Sequence, residues 1–88
     1  FNDNYNEFKI EKITIFPNPV KNNLGLNFSN SISREISIYQ YNGSRLYKQN
    51  YEASNNINID VEFLGPGLYI LKSTSKEGNQ AIKFIIEN

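Results

Sequence analysis

The sequence predicts an all-β chain folded as an antiparallel two-sheet sandwich of about seven short strands. Apolar residues recur with period two rather than three or four. Turn residues return about every eight to twelve positions, the spacing of such a sandwich. No stretch carries an apolar helical stripe with caps at both ends. A chain of 88 residues makes one ordinary domain at most. A domain of this size buries only roughly 60–65% of the surface its unfolded chain exposes, so its stability margin is thin.

The first strand falls at Ile13 and Ile15, which alternate with Lys12 and Thr14. It breaks at Pro17-Asn18-Pro19 and resumes at Leu24, Leu26 and Phe28, alternating with Gly25 and Asn27. Each proline lacks an N–H and pushes the residue before it into extended backbone. Asn18, between them, is suited to bond its own backbone as an Asx turn. "PNP" is therefore expected to be a rigid corner that stops one ladder and hands the chain to the facing sheet.

Ile36 and Ile38 form the next inward pair, with Tyr39 and Tyr41 on the face of Ser37. Asn42-Gly43 is a strong hairpin signal, because both residues accept positive φ. A two-residue turn pairs Tyr39 with Leu46, while a four-residue turn over residues 40–43 shifts that pairing by one. Ile57, Ile59 and Val61 then alternate with Asn58 and Asp60. The break "LGPG" follows at residues 64–67, where Pro66 cannot donate to a central ladder. Residues 68–74 are apolar on both faces, as expected of a strand covered on two sides. Residues 75–80, with Gly78, read as a hairpin loop. Ile82, Phe84 and Ile86 complete the chain, and Ile85 adds apolar area on the other face. Residues 1–9 are polar and patternless apart from their aromatics and read as a lead-in. The division is thus a linker at residues 1–12 and a folded domain at residues 13–88.

Composition narrows the function classes. Nine basic and nine acidic residues give no net charge, which argues against nucleic acid, whose binding needs clustered positive charge. It argues equally against an electrostatically held membrane surface. The longest apolar runs, such as residues 68–71, are too short to span a bilayer, so the chain reads as soluble. Phe1 in place of an initiating Met implies a longer precursor. Cysteine and histidine are both absent, removing disulfides, thiolate metal sites and the commonest general base at neutral pH. Serines lack an activator; Ser73 and Lys76 have Ser-x-x-Lys spacing but fall at a predicted hairpin loop. Glu52, Asp60 and Glu62 lack the alternating ligand loop of a calcium site and read as a solvated strand face. No catalytic residues, metal, cofactor or small-molecule substrate are expected, and the chain is not read as an enzyme.

The aromatics carry the alternative reading. Tyr39, Tyr41, Tyr47 and Tyr51 cluster around one predicted hairpin with Arg45 and Lys48. They either pack the rim of a small sandwich with their hydroxyls in water, or form a contact face for protein or sugar. On the second option the domain is an accessory binding module for carbohydrate or a cell-surface protein.

Four stretches together resemble one family: "IFPNPVKNNLGLNF", "ISIYQYNGSRLY", "IDVEFLGPGLYILK" and the terminal "AIKFIIEN". The chain is similar to the type A C-terminal sorting domain of proteins exported by the type IX, or Por, secretion system. The family pattern is an aliphatic-aromatic-PNP opening, an aliphatic strand ending in a Gly turn, a Leu-x-x-Gly-aliphatic-Tyr strand and a short lysine-bearing final strand. Those elements fall here at residues 15–19, 36–43, 64–69 and 83–86, so the likeness covers residues 13–88.

The resemblance implies an immunoglobulin-like sandwich at the C-terminus of a larger cargo that reaches the periplasm by an N-terminal signal peptide. Its partners would be the outer-membrane type IX translocon and a sortase-like protease. The protease removes the domain, leaving the cargo secreted or attached to lipopolysaccharide at the cell surface. Residues 1–12 would include the link to the cargo. Pro17, Asn18, Pro19, Gly43, Gly67, Tyr69 and Lys83 are the recognition and scaffold positions this likeness marks. The sequence departs from the family at Gln40, where an acidic residue is frequent, and at Glu87-Asn88, where lysine or arginine often ends the strand. Lys83 is left as the positive charge of the final strand. An address shared by many cargos is read as a surface, and a last strand lying at a sheet edge can add to a partner's sheet. Lys83 and the exposed face of residues 81–86 are accordingly expected to contact the machinery.

Overall fold

A computed structural model of the chain describes residues 12–87, which form one antiparallel sheet and no helix. Its strands are β1 (Ile13–Phe16), β2 (Asn23–Gln40), β3 (Arg45–Asp60), β4 (Gly67–Ser75) and β5 (Gly78–Ile86). β2 is central and pairs with β1, β3 and β4, while β5 pairs with β4. The expected lead-in at residues 1–9 lies outside the described residues.

The all-β prediction holds, but the architecture differs from two sheets of about seven strands. Five strands form a single curled sheet. The stretches between Phe28 and Ile36 and between Tyr51 and Ile57 were expected to separate strands; instead they stay extended, so two expected strands merge into the 18 residues of β2 and two into the 16 of β3. Register shifts between Asn27 and Ile32 and between Ile32 and Arg34 interrupt the β2–β3 ladder. Such bulges bend a strand and increase its twist. The early part of β2 therefore pairs with β1 and the end of β3, and the late part with the start of β3 and β4.

The curl brings both parts onto one core. Leu24, Leu26, Phe28, Ile57 and Ile59 enter it from the first part, and Ile36, Ile38, Leu71, Phe84 and Ile86 from the second. These are the alternating positions read from the sequence. Leu24, Leu26, Ile36, Ile38 and Leu71 have no exposed surface, and truncating any one to alanine costs about 2–5 kcal/mol.

The PNP corner carries the chain from β1 to Val20, which makes a parallel bridge with Ile86 at the end of β5. Both prolyl bonds, Phe16–Pro17 and Asn18–Pro19, are cis. The hand-over is as expected, except that it joins two edges of one sheet. The Asx turn does not form: Asn18 makes no hydrogen bond among the described residues.

At the β2–β3 hairpin Gly43 takes φ 101°, a conformation few side chains tolerate, and its N–H donates to the Gln40 carbonyl at 2.9 Å. Ile38 pairs with Tyr47, the register of a two-residue turn, and a bulge then moves Tyr39 onto Arg45. The β4–β5 hairpin is tighter than the loop expected over residues 75–80, since β4 ends at Ser75 and β5 starts at Gly78.

One expectation fails in an instructive way. β4 reads as a strand covered on both faces, yet only its inner residues Tyr69, Leu71 and Ser73 are buried. Leu68, on the outer face, is 41% exposed and Ile70 is half-buried. Nothing in the described chain covers that side.

Candidate recognition surface

Strand pairing fixes what stands on each outer face, because directly paired residues share a side. In the first part of the curl that face carries Thr14, Asn23, Asn27, Asn56, Asn58 and Asp60. It is polar and nearly uncharged, with Phe16 as its aromatic residue.

The second part is different. Tyr39 stands beside Ile70, Ile70 beside Lys83, Leu68 beside Ile85, and Lys72 beside Ala81. Leu68 and Ile85 are 41% and 50% exposed. Apolar side chains and two lysines thus share one open face. Lys48 on the same side is held by Glu35 at 3.3 Å; Lys72 and Lys83 form no ion pair among the described residues. In a chain with no net charge, this is a locally basic, partly apolar surface.

β5 owes its place to the hairpin and to the core. The Ser75 hydroxyl accepts from the Glu77 N–H at 3.1 Å in the turn, and Asn30 donates to Glu77 at 2.7 Å, tying that turn to β2. Phe84 and Ile86 are buried, while Ala81, Lys83 and Ile85 face outward. Among the described residues β5 pairs with no strand but β4, so it is an edge strand there, capped at its end. There the Val20 N–H donates to the Ile85 carbonyl at 2.9 Å and the Glu87 N–H donates to the Val20 carbonyl at 2.8 Å. Of the expected contact strip at residues 81–86, the last residues therefore have their edge already taken.

The other singled-out positions do not gather at this surface. Gly43 sits at the hairpin turn, Gly67 begins β4 at φ 154°, and Pro17 to Pro19 form the corner. Tyr69 is a core residue whose ring stacks on Phe84 with centroids 5.8 Å apart. Its hydroxyl donates to the Gly65 carbonyl at 2.6 Å, pinning the "LGPG" loop in the manner of a tyrosine corner.

The tyrosine hairpin does not make a stacking platform. Tyr47 and Tyr51 pack against the core and bond to each other through their hydroxyls, whereas the rim-packing option had those hydroxyls in water. Burial, and then the Tyr47 hydroxyl, push the Tyr51 phenol above its ordinary value. Tyr47 also lies near Phe63, with centroids 6.2 Å apart. Tyr41 alone of the four stands out, 75% exposed at the turn. Glu52, Asp60 and Glu62 belong to no metal-holding cluster among the described residues.

Two residues escaped the sequence reading. Arg34 is buried, its guanidinium 3.6 Å above the Phe28 ring, donating to the Asn30 and Ser54 carbonyls at 3.0 and 3.2 Å. It braces the bend in β2, and no motif signals it; the adjacent Glu35 pairs with Lys48 instead. Gly25 is buried beneath Phe16; a glycine inside a strand is the signal of such a close approach.

No curated protein matches the sequence. Residues 14–87 match the family model described as a secretion system C-terminal sorting domain, a span that includes the PNP corner, both hairpins, the Tyr69 loop and the exposed β4–β5 face. The chain belongs to the family of secretion system C-terminal sorting domains.

Proposed function

We propose that this domain is a type A sorting signal of the type IX secretion system, a label that directs an attached N-terminal cargo across the outer membrane. The cargo reaches the periplasm by its own signal peptide. The translocon then reads the folded domain, and a sortase-like protease cuts within or near residues 1–12. The cargo ends secreted or fixed to surface lipopolysaccharide. The family match over residues 14–87 carries this reading.

The uneven outer faces support it. A label needs one readable surface and otherwise unobtrusive sides. Here Leu68, Ile85, Lys72 and Lys83 stand together on β4 and β5, opposite a face of asparagines that carries Phe16. Lys83 is the contact residue we assign. Pro17, Asn18, Pro19, Gly43, Gly67 and Tyr69 form the scaffold that presents it. The Tyr69 return bond and the two parts of the sheet facing across one core support an immunoglobulin-like reading of the curl.

The test is a transplant. Residues 1–88 are fused to an inert periplasmic reporter in a host that has the machinery. Export of the reporter is the expected result, and a fusion that folds but stays in the periplasm contradicts the proposal.

A further inference from the structure

Among the described residues, two of the sheet's unpaired edges lie next to each other. β1 pairs only with β2 among the described residues, and β5 only with β4 apart from the single bridge to Val20. Between residues 13–15 of β1 and residues 82–84 of β5 runs an open groove of about 290 Å³, with Asn18 at one end. The parallel bridge from Val20, just past the corner, to Ile86 closes that end.

The direction of the main-chain groups follows from the pairing. In an antiparallel ladder, alternate residues turn both N–H and C=O toward one neighbour. The hairpin closes on the pair Ser75 and Gly78, so even-numbered residues of β5 turn toward β4 and odd-numbered ones turn away. The cap agrees, since Ile85 and Glu87 are the residues that bond outward to Val20. Among the described residues, Lys83 therefore presents an unpaired donor and acceptor in the groove, and Ala81 and Asn79 continue that edge just beyond it. On β1 the Lys12 carbonyl accepts from the Ser29 N–H at 3.0 Å. That turns Thr14 toward β2 and leaves Ile13 and Ile15 outward.

We propose that this seam is a slot for one extended strand of the export machinery, whose backbone pairs with Ala81 and Lys83. It places an acidic side chain beside Lys83 and an apolar one toward Ile82 and Ile15. This deepens the sorting-signal reading and rests on it. The chemistry of the occupant follows from the walls. Residues paired across a ladder share a face, so the residue opposite Lys83 meets the open basic side, where Lys72 stands beside Ala81. The residue opposite Ile82 points into the groove. Lys83 also disfavours a second copy of this chain as occupant. An edge lysine is a device against self-pairing, and two β5 strands joined antiparallel about residue 82 would bring Lys83 of each copy beside Ala81 and Lys72 of the other. An acidic strand turns the same charge into an attraction.

The decisive variant is Ala81→Pro in the reporter fusion carrying residues 1–88. Proline there removes an outward N–H and spares the ladder to β4, as edge strands allow. Ile82→Pro removes a ladder N–H and is the control that unfolds the domain. The folded Ala81→Pro fusion is expected to lose export by at least about tenfold, as main-chain pairing supplies the affinity in strand addition. Wild-type export by the folded variant overturns the slot and leaves the sorting reading intact. Failure of the wild-type fusion itself overturns the sorting reading. If Ala81→Pro unfolds, amide hydrogen exchange decides. The Ala81 and Lys83 amides of the wild-type fusion gain protection when mixed with solubilised outer membranes from the host; unchanged exchange refutes the slot.

Discussion

The ring of Phe16 lies across the backbone of Gly25, its partner in the β1–β2 ladder. A Cβ on Gly25 would come within 2.6 Å of the Phe16 Cζ. The aromatic residue before "PNP" thus occupies the space a side chain at position 25 would take, covering a glycine in the way aromatics do across β-strand pairs. Gly25→Ala displaces the ring and is expected to cost about 1–2 kcal/mol in urea unfolding. Added to Phe16→Ala, the same change costs much less, because the ring is already gone. A double-mutant cycle measures the difference.

Arg34→Lys keeps the charge and loses the fork. Lysine has no planar fork with which to donate to both the Asn30 and Ser54 carbonyls while its charge stands over the Phe28 ring as the guanidinium does. A loss of about 1–3 kcal/mol is expected from denaturant unfolding, with the strand content kept by circular dichroism.

How much of this was legible in the sequence depends on which physical signal each feature leaves. Leu24, Leu26, Ile36, Ile38, Phe84 and Ile86 alternate with polar residues, and that alternation is the signature of a one-sided strand; all are core residues. The merging of strands left no such mark. Residues 29–33 read "SNSIS", a composition of turns, yet β2 passes through them extended, because bulges bend a strand without breaking it. β4 misled for the opposite reason. A strand apolar on both faces is either doubly buried or awaiting a partner, and sequence alone cannot separate the two. Lys83 was legible as a charge on a final strand, whereas the Val20 cap and the neighbouring β1 edge are long-range relations that no local pattern carries.

Tyr69→Phe removes the hydroxyl that donates to Gly65 and keeps the stacking on Phe84. The expected loss is about 0.5–1.5 kcal/mol in unfolding free energy. Faster amide exchange confined to residues 64–67 should accompany it, since the bond pins that loop.

Tyr51 gives the domain an alkaline limit. Its phenol titrates higher folded than its ordinary value of 10.0, through burial and then the Tyr47 hydroxyl. A raised folded value stabilises the domain fully below the unfolded value; that contribution is lost as pH rises through 10.0 toward the folded value. The unfolding midpoint of the wild type should therefore fall above that pH more steeply than that of Tyr51→Phe. Thermal melts of both proteins across the alkaline range check this.

The central claim is that the folded domain acts as a label read on its β4–β5 side. Deleting the last strand is a poor test, because Phe84 and Ile86 are core residues and the truncated domain would unfold. Lys83→Glu leaves the core untouched. Its control is the double variant Asn27→Asp with Asn58→Asp, which makes the same net change in charge on the opposite face. The most direct measurement is the extracellular fraction of a reporter fused to residues 1–88 in wild-type, Lys83→Glu and control forms, each first shown to melt like the wild type. Export is predicted to fall by about tenfold or more for Lys83→Glu alone, as charge reversal at a complementary interface does. Equal export of all three folded forms would contradict the account.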